Sequence, residues 1–455
     1  MRKVSDGVEL SASDLARHLG CRHLTELDLG VAVGSLAPPR WRDPTLELLQ
    51  QRGLELEQLY LDQLRGQGLA IVEVGQSESG SGLDRTVAAM RDGAAVIYQA
   101  TLRSGRWHGR ADFLKRMDGR SDLGAWSYEV LDAKLARETR AGTILQLCLY
   151  SHMVAEIQGT LPERMHVIMP GDDLPLESFR VHDFLAYHRL VQRRLEVATA
   201  DVTDEPRTYP DPVPQCDICR WWPVCDGRRR DDDHLCLVAG ISKLQIDELR
   251  SWGLNTLAAL AGVPLPLDRR PSRGALETYL RVREQARVQL EGRRAGSPVY
   301  ELLPVVEGQG LCRLPEPSPG DIFLDFESDP FVGICGLEYL LGWTVGPPTA
   351  PQYHNHWAFG PADEKASFEA FIDLVTERRE RFPDLHIYHF APYEPAALKR
   401  LMGRYATRED ELDRMLRAEL FIDLHAVTRQ AARASVERYS LKDLEVLYDF
   451  ERTIP

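Results

Sequence analysis

The chain has 455 residues, a formal net charge of −14 at pH 7 and 44% hydrophobic side chains. This length suffices for about three domains, and the ordinary composition excludes a disordered, collagen-like or disulfide-dense protein. No run approaches about 18 consecutive apolar residues, so we expect no membrane span. The N-terminal segment lacks the apolar stretch of a signal peptide, which predicts a cytoplasmic protein.

The first half of the chain alternates helical and extended patterns. A helix is predicted over residues 46–68, and strands are predicted in AIVEV, AAVIYQATL, GRADFL and WSYEVLDAKL. A helix over Ile144–Ile157 and a strand in RMHVIMP follow. Strands bracketed by helices indicate an α/β core.

Two irregular stretches, Gly227–His234 and Leu311–Asp321, divide the chain. We therefore expect three regions, and the predicted boundaries are 1–235 for an α/β domain, 236–315 for a small helical module with a helical connector, and 316–455 for a second α/β domain. The predicted fold class is α/β and multidomain.

Two acidic strands and the next helix carry residues suited to phosphodiester chemistry. Asp112 lies in GRADFL, and Asp132 and Lys134 share one strand face because they are two residues apart. Two carboxylates on adjacent strands can bind Mg²⁺ or Mn²⁺. A lysine beside them can orient or deprotonate water, or stabilise the phosphorane charge. Gln146 and Tyr150 lie one turn apart on the helix and can reach a phosphate.

The order G-x-x-D, D-x-K, Q-x-x-x-Y resembles the RecB-like branch of the PD-(D/E)XK nucleases, over roughly residues 8–235. The resemblance implies a restriction-endonuclease-like core in which Asp112 and Asp132 bind metal and Lys134 is catalytic. It also implies a further ligand on an upstream helix, where Glu57 follows Leu56 at a position at which histidine is common. The alternatives are a polar strand edge with a surface Asp–Lys pair and, for Glu57, an exposed helix residue.

A cysteine cluster follows this region and has the spacing C-x2-C-x5-C: Cys216, Cys219 and Cys225. A tetrahedral metal site or a cubane needs a fourth ligand. Cys236 or His234 would complete a local zinc site, whereas Cys21 is remote. Some RecB-like nucleases have one cysteine before the core and three after it that together bind a [4Fe–4S] cluster. The resemblance therefore implies that Cys21 joins the triplet, and zinc is the alternative.

The segment LVAGISKLQIDELRSWGLNTLAALAGVP has two helical patterns joined at a glycine. Gly253 can end the first helix, and Asn255 or Thr256 can cap the second. The segment resembles a helix-hairpin-helix module, a kind of unit that often presents backbone N–H groups to nucleic-acid phosphates. The alternative is a unit that only packs between domains.

The C-terminal region opens with DIFLDFESDP, which places Asp325 and Glu327 on one strand face. The region resembles the ribonuclease-H-like exonuclease domain found beside RecB-like nucleases, which implies that Asp325 and Glu327 bind divalent metal. Glu394 and Asp423 are weaker counterparts. The last acidic motif of that family would lie beyond Pro455, so we expect an incomplete, truncated domain. Longer relatives continue into a helicase domain.

The pattern as a whole predicts an Mg²⁺- or Mn²⁺-dependent deoxyribonuclease that hydrolyses single-stranded DNA or frayed duplex ends, in repair or defence. DNA is the expected partner, with a possible helicase domain or partner. One alternative is a non-catalytic nucleic-acid-binding scaffold for a helicase, which the leucine at position 56 favours. Another is a zinc-ribbon regulatory protein.

Overall fold

The computed structural model describes residues 1–4, 7–41, 43–75, 79–136, 138–171, 173–200, 206–333 and 335–450. The predicted end of the third region, residues 451–455, lies outside these ranges. The chain forms two compact units, Met1–Arg228 and Arg229–Pro455. The expected α/β, multidomain character is confirmed, whereas the three predicted boundaries stay a prediction. No helix in the described ranges has the length and hydrophobicity that a membrane crossing requires.

The first unit alternates strands and helices. Its strands are β1 (Arg2–Val4), β2 (Gly7–Ser11), β3 (Ile71–Glu73), β4 (Val96–Ser104), β5 (Trp107–Ser121), β6 (Gly124–Ala133), β7 (Arg164–Ile168) and β8 (Leu176–Arg180). Its helices are α1 (Ala12–Gly20), α2 (Arg22–Val33), α3 (Pro44–Gly66), α4 (Ser79–Arg91), α5 (Ala141–Gln158) and α6 (Leu185–Ala198), and α7 (Trp222–Asp231) spans the division between the units.

One mixed sheet runs through this unit. The long strand β5 pairs antiparallel with β4 and with β6, and its first residues pair parallel with β2. Strand β6 continues the sheet through the parallel β7 and then the antiparallel β8, while β3 lies parallel beside β4. The β4–β5–β6 ribbon therefore forms the middle of the sheet, where GRADFL and EVLDAKL are neighbours.

Hydrophobic side chains cover both faces of the sheet. On one face, residues of α1, α4, α5 and α6 pack on strand residues such as Ile97, Ala111 and Val130. On the other face, α3 packs through Leu56 and Tyr60. Burying one such large apolar side chain stabilises the fold by about 1.5–3 kcal/mol, so these two layers fix α3 and α5 on opposite faces of the strands.

Local sequence sets the ends of the two helices. Helix α3 starts at Pro44, with the Asp43 carboxylate accepting a hydrogen bond from the Thr45 backbone N–H at 2.9 Å. Helix α5 ends at Gly159, whose φ of 71° is a left-handed conformation that glycine adopts without strain. The predicted helices over 46–68 and Ile144–Ile157 thus match α3 and α5 to within a few residues.

The second unit contains a helical part and a sheet. Its helices are α8 (Lys243–Ser251), α9 (Leu257–Ala261), α10 (Leu276–Ala295), α11 (Pro361–Arg381), α12 (Tyr393–Tyr405), α13 (Glu409–Arg417), α14 (Leu424–Ala431) and α15 (Leu441–Leu444). Its strands are β9 (Tyr300–Leu302), β10 (Ile322–Asp329), β11 (Leu337–Val345), β12 (Gln352–Trp357), β13 (Ile387–His389), β14 (Phe421–Asp423) and β15 (Ala432–Ala434).

The larger sheet of this unit has five strands in the order β12–β11–β10–β13–β14. The first three strands are antiparallel, and β13 and β14 run parallel to β10. Alternate residues of β10, namely Ile322, Leu324 and Phe326, face a core shared with α11, α12 and α13. Asp325 and Glu327 consequently point to the opposite, exposed face.

Candidate functional site

Asp112, Asp132 and Lys134 come together in the middle of the first sheet. The Ala133 backbone N–H donates to Asp112 Oδ2 at 2.9 Å, which ties β5 to the end of β6. Lys134, just after β6, forms an ion pair with Asp132 Oδ2. Asp132 is fully buried, whereas Lys134 keeps part of its side chain exposed. The structure thus places the three predicted residues at one buried point with an opening to solvent.

Helix α5 adds Gln146 and Tyr150 to this point. Gln146 Nε2 lies 3.4 Å from Asp132 Oδ1 and 3.3 Å from the Tyr150 hydroxyl. A Cβ at Gly109 would lie 2.3 Å from Tyr150 Cε1, so the Tyr150 ring occupies the space beside that glycine. Gly109 is the first residue of the G-x-x-D pattern, and its lack of a side chain lets Tyr150 lie against β5.

Glu57 lies on α3, which covers the other face of the sheet. Its neighbours on β4 are Gln99 and Tyr98, which the sequence did not single out. Glu57 is buried on α3, and Gln99 Nε2 donates a hydrogen bond to Glu57 Oε1. Burial, and next the nearby Glu57 carboxylate, raise the pKa of Tyr98. Leu56, at the position where histidine is common in the family that the chain resembles, is a buried core residue that packs beside Tyr60.

Burial and mutual repulsion shape the charges of the site. Burial, and next the Asp132 carboxylate, raise the pKa of Asp112 well above its usual range. For Lys134, burial lowers the pKa, but Asp132 and Asp112 outweigh burial, so the pKa stays above its ordinary value. Burial also raises the pKa of Tyr150, which keeps its hydroxyl protonated. The site thus places the carboxyl groups of Asp112 and Asp132 beside one ammonium, that of Lys134.

The donor set of this group fits a hard divalent cation. Mg²⁺ prefers oxygen ligands and is typically bound by one or two carboxylates together with water, which Asp112 and Asp132 offer. A cation would also relieve the repulsion that raises the Asp112 pKa. Within the described residues, no three Cys, His, Asp or Glu side chains enclose a single point tightly enough to hold a metal ion as they stand. Water, together with Glu57 from α3, would therefore have to supply the remaining ligands.

The four predicted cysteine ligands line one small cavity. Cys21, at the start of α2, shares this cavity with the triplet Cys216, Cys219 and Cys225. Leu24, Leu27 and Trp221 form a small core that packs against it.

Two backbone amides already donate to the sulfur atoms of this cavity. The Leu24 N–H lies 3.4 Å from Cys21 Sγ, and the Val213 N–H lies 3.5 Å from Cys216 Sγ. Trp221 Nε1, which is buried, makes no hydrogen bond within the described part of the chain. Burial, and the nearby Cys21 and Cys216, raise the pKa of Cys219. The cavity thus presents thiols, N–H donors and apolar walls, whereas Cys236 and His234, the alternative zinc ligands, belong to the second unit.

Helices α8 and α9 lie where the sequence predicts two helices joined at a glycine, and among the described residues protein groups occupy both helix starts. Gly253 adopts a left-handed φ of 83° after α8, and Thr256 caps α9. The Asp233 carboxylate accepts a hydrogen bond from the Ala258 N–H at 2.8 Å at the start of α9. Ser242 and Gln245 cap α8 in the same way with their own side chains. Both helix starts are thus capped by protein groups.

The carboxylates of the second sheet are assembled less completely. Burial, then Glu394 and Glu327, raise the pKa of Asp325, so these three groups are near one another. Glu394 is buried and its Oε2 makes no hydrogen bond within the described residues, although His389 Nδ1 lies 3.6 Å away. No lysine or arginine in the described ranges forms an ion pair with Asp325 or Glu327.

Asp423, the other weaker counterpart, is occupied by backbone. Its Oδ1 accepts hydrogen bonds from the N–H groups of Ala391, His425 and Ala426 at 3.0, 2.9 and 3.2 Å. The side chain therefore caps α14 and ties it to the turn after β13. The sequence identified an acidic residue at the end of β14 correctly, but its contacts are those of a helix cap.

Comparison with known proteins supports the C-terminal assignment at a coarse level. Residues 322–455 match the family model of the RNase_H superfamily. No curated protein matches the chain. A solved structure described as the crystal structure of SSO0001 is similar at 15% identity, covering 49% of this chain and 88% of its own, with a TM-score of 0.24. The chain therefore has an RNase H-like domain at its C-terminus, which suggests a nucleic-acid hydrolase.

Proposed function

We propose that this protein is an Mg²⁺- or Mn²⁺-dependent deoxyribonuclease whose active site is the Asp112–Asp132–Lys134 group of the first unit. The observation that carries the proposal is the convergence of these three residues with Gln146 and Tyr150 at one buried point. Five residues from two strands and a helix meet there in the arrangement that the RecB-like motif order implies. An Asp–Lys pair without a function would be expected on the surface, because burying charged groups costs free energy.

Asp112 and Asp132 are the residues that would hold the metal. The bound ion would supply a Lewis acid and a source of hydroxide at neutral pH. The Lys134 ammonium, held by Asp132, faces the same point and would stabilise negative charge that develops on the phosphate oxygens. Gln146 keeps the Asp132 carboxylate oriented through its amide. The carboxylates and lysine are thus prearranged before substrate arrives.

Positively charged residues beside the site support binding of a nucleic-acid strand. A cavity next to Gln146 is lined by Arg17, Arg140 and the first residues of α5, including Gly142 and Thr143. Arginine is well suited to phosphate groups because of its planar set of donors. We assign this cavity to the backbone of the strand that enters the site, and single-stranded DNA or frayed ends are the proposed substrates.

The cysteine cavity is the proposed site of a [4Fe–4S] cluster held by Cys21, Cys216, Cys219 and Cys225. Its apolar walls and N–H donors suit a cluster, whose sulfur atoms accept hydrogen bonds. Zinc, which cysteine thiolates also bind in tetrahedral sites, is the alternative occupant of the same cavity. The cluster would join the two ends of the first unit, so its binding energy would contribute to folding.

The remaining parts of the chain have supporting roles in this proposal. Residues 236–315 form a helix-hairpin-helix module and connector, and residues 316–455 form the RNase H-like domain. Asp325 and Glu327 would bind metal there, in a site that is less completely built. A helicase domain or partner would supply the single strands, in DNA repair or in defence against foreign DNA.

The test is cleavage of end-labelled single-stranded DNA by the anaerobically purified protein with Mn²⁺ or Mg²⁺. Lys134→Ala is expected to reduce cleavage by about 10²- to 10³-fold, the effect of losing one electrostatic donor. Lys115→Ala, on β5 of the same sheet, is the matched control and should cleave as the wild type does.

Equal cleavage by the wild type and Lys134→Ala would contradict the proposal. No cleavage by a wild-type protein that carries its full complement of iron would also contradict it, and would favour a non-catalytic nucleic-acid-binding scaffold.

A further inference from the structure

Gln99 is a polar residue in the middle of β4 with an unusual backbone. Its φ is 53°, a left-handed conformation that a non-glycine residue rarely adopts and that is strained within a strand. Its neighbours Tyr98 and Ala100 pair in register with Phe113 and Ala111 of β5, so Gln99 stands opposite Asp112. The strained residue therefore lies directly across from a proposed metal ligand.

At Gln99, the alternation of β4 side chains between the two faces of the sheet is interrupted. Before it, Val96 and Tyr98 face the α3 layer and Ile97 faces the α5 layer. After it, Ala100 and Leu102 face the α5 layer, although regular alternation would send odd-numbered residues there. The alternation thus shifts by one residue at Gln99.

The same shift occurs on β5 at Asp112. Ala111 belongs to the α5 layer, and Phe113, two positions later, belongs to the α3 layer. In both strands, therefore, the alternation of side chains between the two faces shifts by one residue, and the two shifts lie opposite each other at Gln99 and Asp112. This coordinated irregularity is what brings Asp112 and Gln99 to the boundary between the two layers.

The consequence of the shift is a contact between Gln99 and Glu57. Adjacent strand residues normally point to opposite faces, yet Tyr98 packs in the α3 layer and Gln99 also reaches α3 through the Glu57 carboxylate. The Gln99 amide donates to Glu57 Oε1, and Glu57 is near enough to Asp112 for the two carboxylates to repel. The strained backbone thus aims an amide at the third carboxylate of the site.

From this geometry we infer that Gln99 is a positioning residue that orients the Glu57 carboxylate toward the metal held by Asp112 and Asp132. The inference rests on the proposed nuclease site. Hydrogen-bond partners that orient metal ligands typically change metal affinity by about 10- to 100-fold when they are removed. A backbone that stores strain at this position is explained if the amide is needed where ordinary strand geometry cannot place it.

The experiment is a calorimetric titration of the purified full chain with Mn²⁺, combined with thermal unfolding. Gln99→Gly removes the amide and permits the left-handed backbone without strain, so the variant should remain folded yet bind Mn²⁺ about 10- to 100-fold more weakly. Gln99→Asn keeps an amide that is one methylene shorter and should also bind weakly. Glu419→Gly is the matched control, because exposed Glu419 has a similar φ of 52°.

A double variant separates positioning from simple structural support. If Gln99 acts through Glu57, then Glu57→Gln combined with Gln99→Gly should bind Mn²⁺ no more weakly than Glu57→Gln alone. Equal Mn²⁺ affinity in the wild type and Gln99→Gly would overturn this inference and leave the nuclease site in place. Absence of any Mn²⁺ binding by the wild type would overturn both the nuclease site and this inference.

Discussion

The two clusters of acidic residues in this protein, one in each unit, differ in how many neighbouring groups hold their carboxylates in place. In the first unit, Asp112 accepts a backbone hydrogen bond, Asp132 is paired with a lysine, and Glu57 is held by an amide. In the second unit, Asp325 and Glu327 lie on an exposed sheet face. Similar short acidic motifs therefore lead to different sites. The first site has the Lys134 ammonium and hydrogen-bond donors that hold its carboxylates, and these groups make the difference.

The largest expected difference between the units concerns the cysteine cavity. Cys219→Ser should lose most of the bound iron and sulfide and lower the stability of the first unit on the order of 5 kcal/mol, because metal binding energy contributes to folding. Iron analysis and chemical unfolding of the anaerobically purified protein measure both effects. Cys312→Ser, which replaces an exposed cysteine of the second unit, should change neither. Full iron content in Cys219→Ser would remove this cysteine from the site.

Metal affinity should separate the two carboxylate groups next. Asp112→Asn removes a proposed ligand directly, so the Kd for Mn²⁺ should rise more than the about 10- to 100-fold typical of a group that only orients a ligand. Asp325→Asn should leave the tightest Mn²⁺ site unchanged. Asp118→Asn, an exposed aspartate on the same strand β5, controls for loss of surface charge. Weaker Mn²⁺ binding in Asp325→Asn than in Asp112→Asn would reverse the comparison.

The first unit should also be sensitive to acid through a buried histidine pair. His188 stacks on His152 with ring centroids 5.5 Å apart, and neither ring nitrogen of His188 has a hydrogen-bond partner in the described residues. Burial, then His152 and Arg189, lower the pKa of His188 to about 4. Because the folded pKa lies below the unfolded value of about 6.5, the associated stability is complete above that pH and is lost as the pH falls toward 4.

This shift predicts a loss of about 2 kcal/mol in the free energy of unfolding between about pH 7 and about pH 5. Urea unfolding at the two pH values measures the loss. His188→Phe keeps an aromatic ring without a titratable group and should remove that part of the pH dependence. An unchanged pH dependence in His188→Phe would show that other groups cause the acid sensitivity.

The smallest expected change tests the contact between β5 and α5. Gly109→Ala would place a methyl group 2.3 Å from the Tyr150 ring, so the ring must move and the protein should lose at least about 1 kcal/mol of stability. DNA cleavage should fall as well, because Tyr150 hydrogen-bonds Gln146. Gly53→Ala on α3, where a Cβ meets nothing, should instead stabilise the fold by about 0.5–1 kcal/mol. A Gly109→Ala variant as stable and active as wild type would contradict the predicted crowding.

Much of the first site follows from local rules. The spacing of Asp132 and Lys134 predicts a shared face because strand side chains alternate, and Leu131, Ala133 and Leu135 do pack together on the other side. The placement of Gln146 and Tyr150 follows from helical periodicity. These features depend only on secondary structure and strand adjacency.

The role of Gln99 could not be predicted in the same way. Regular alternation places Gln99 on the face opposite Tyr98, and only the left-handed φ of 53° brings the Gln99 amide to Glu57 on the same side as Tyr98. Asp423 shows the converse, because the family resemblance suggested it as a weaker counterpart of a metal ligand, whereas its Oδ1 caps α14. Both cases depend on backbone conformation at single residues, which composition and spacing do not determine.

The most direct test of the account is a side-by-side cleavage assay with end-labelled single-stranded DNA and Mn²⁺. It compares Asp112→Asn with the double variant Asp325→Asn/Glu327→Gln. The account predicts that Asp112→Asn loses cleavage by about 10³-fold or more, while the double variant cleaves within about twofold of the wild type, a difference of less than about 0.5 kcal/mol. Cleavage that survives in Asp112→Asn and disappears in the double variant would place the chemistry in the RNase H-like domain and contradict the account.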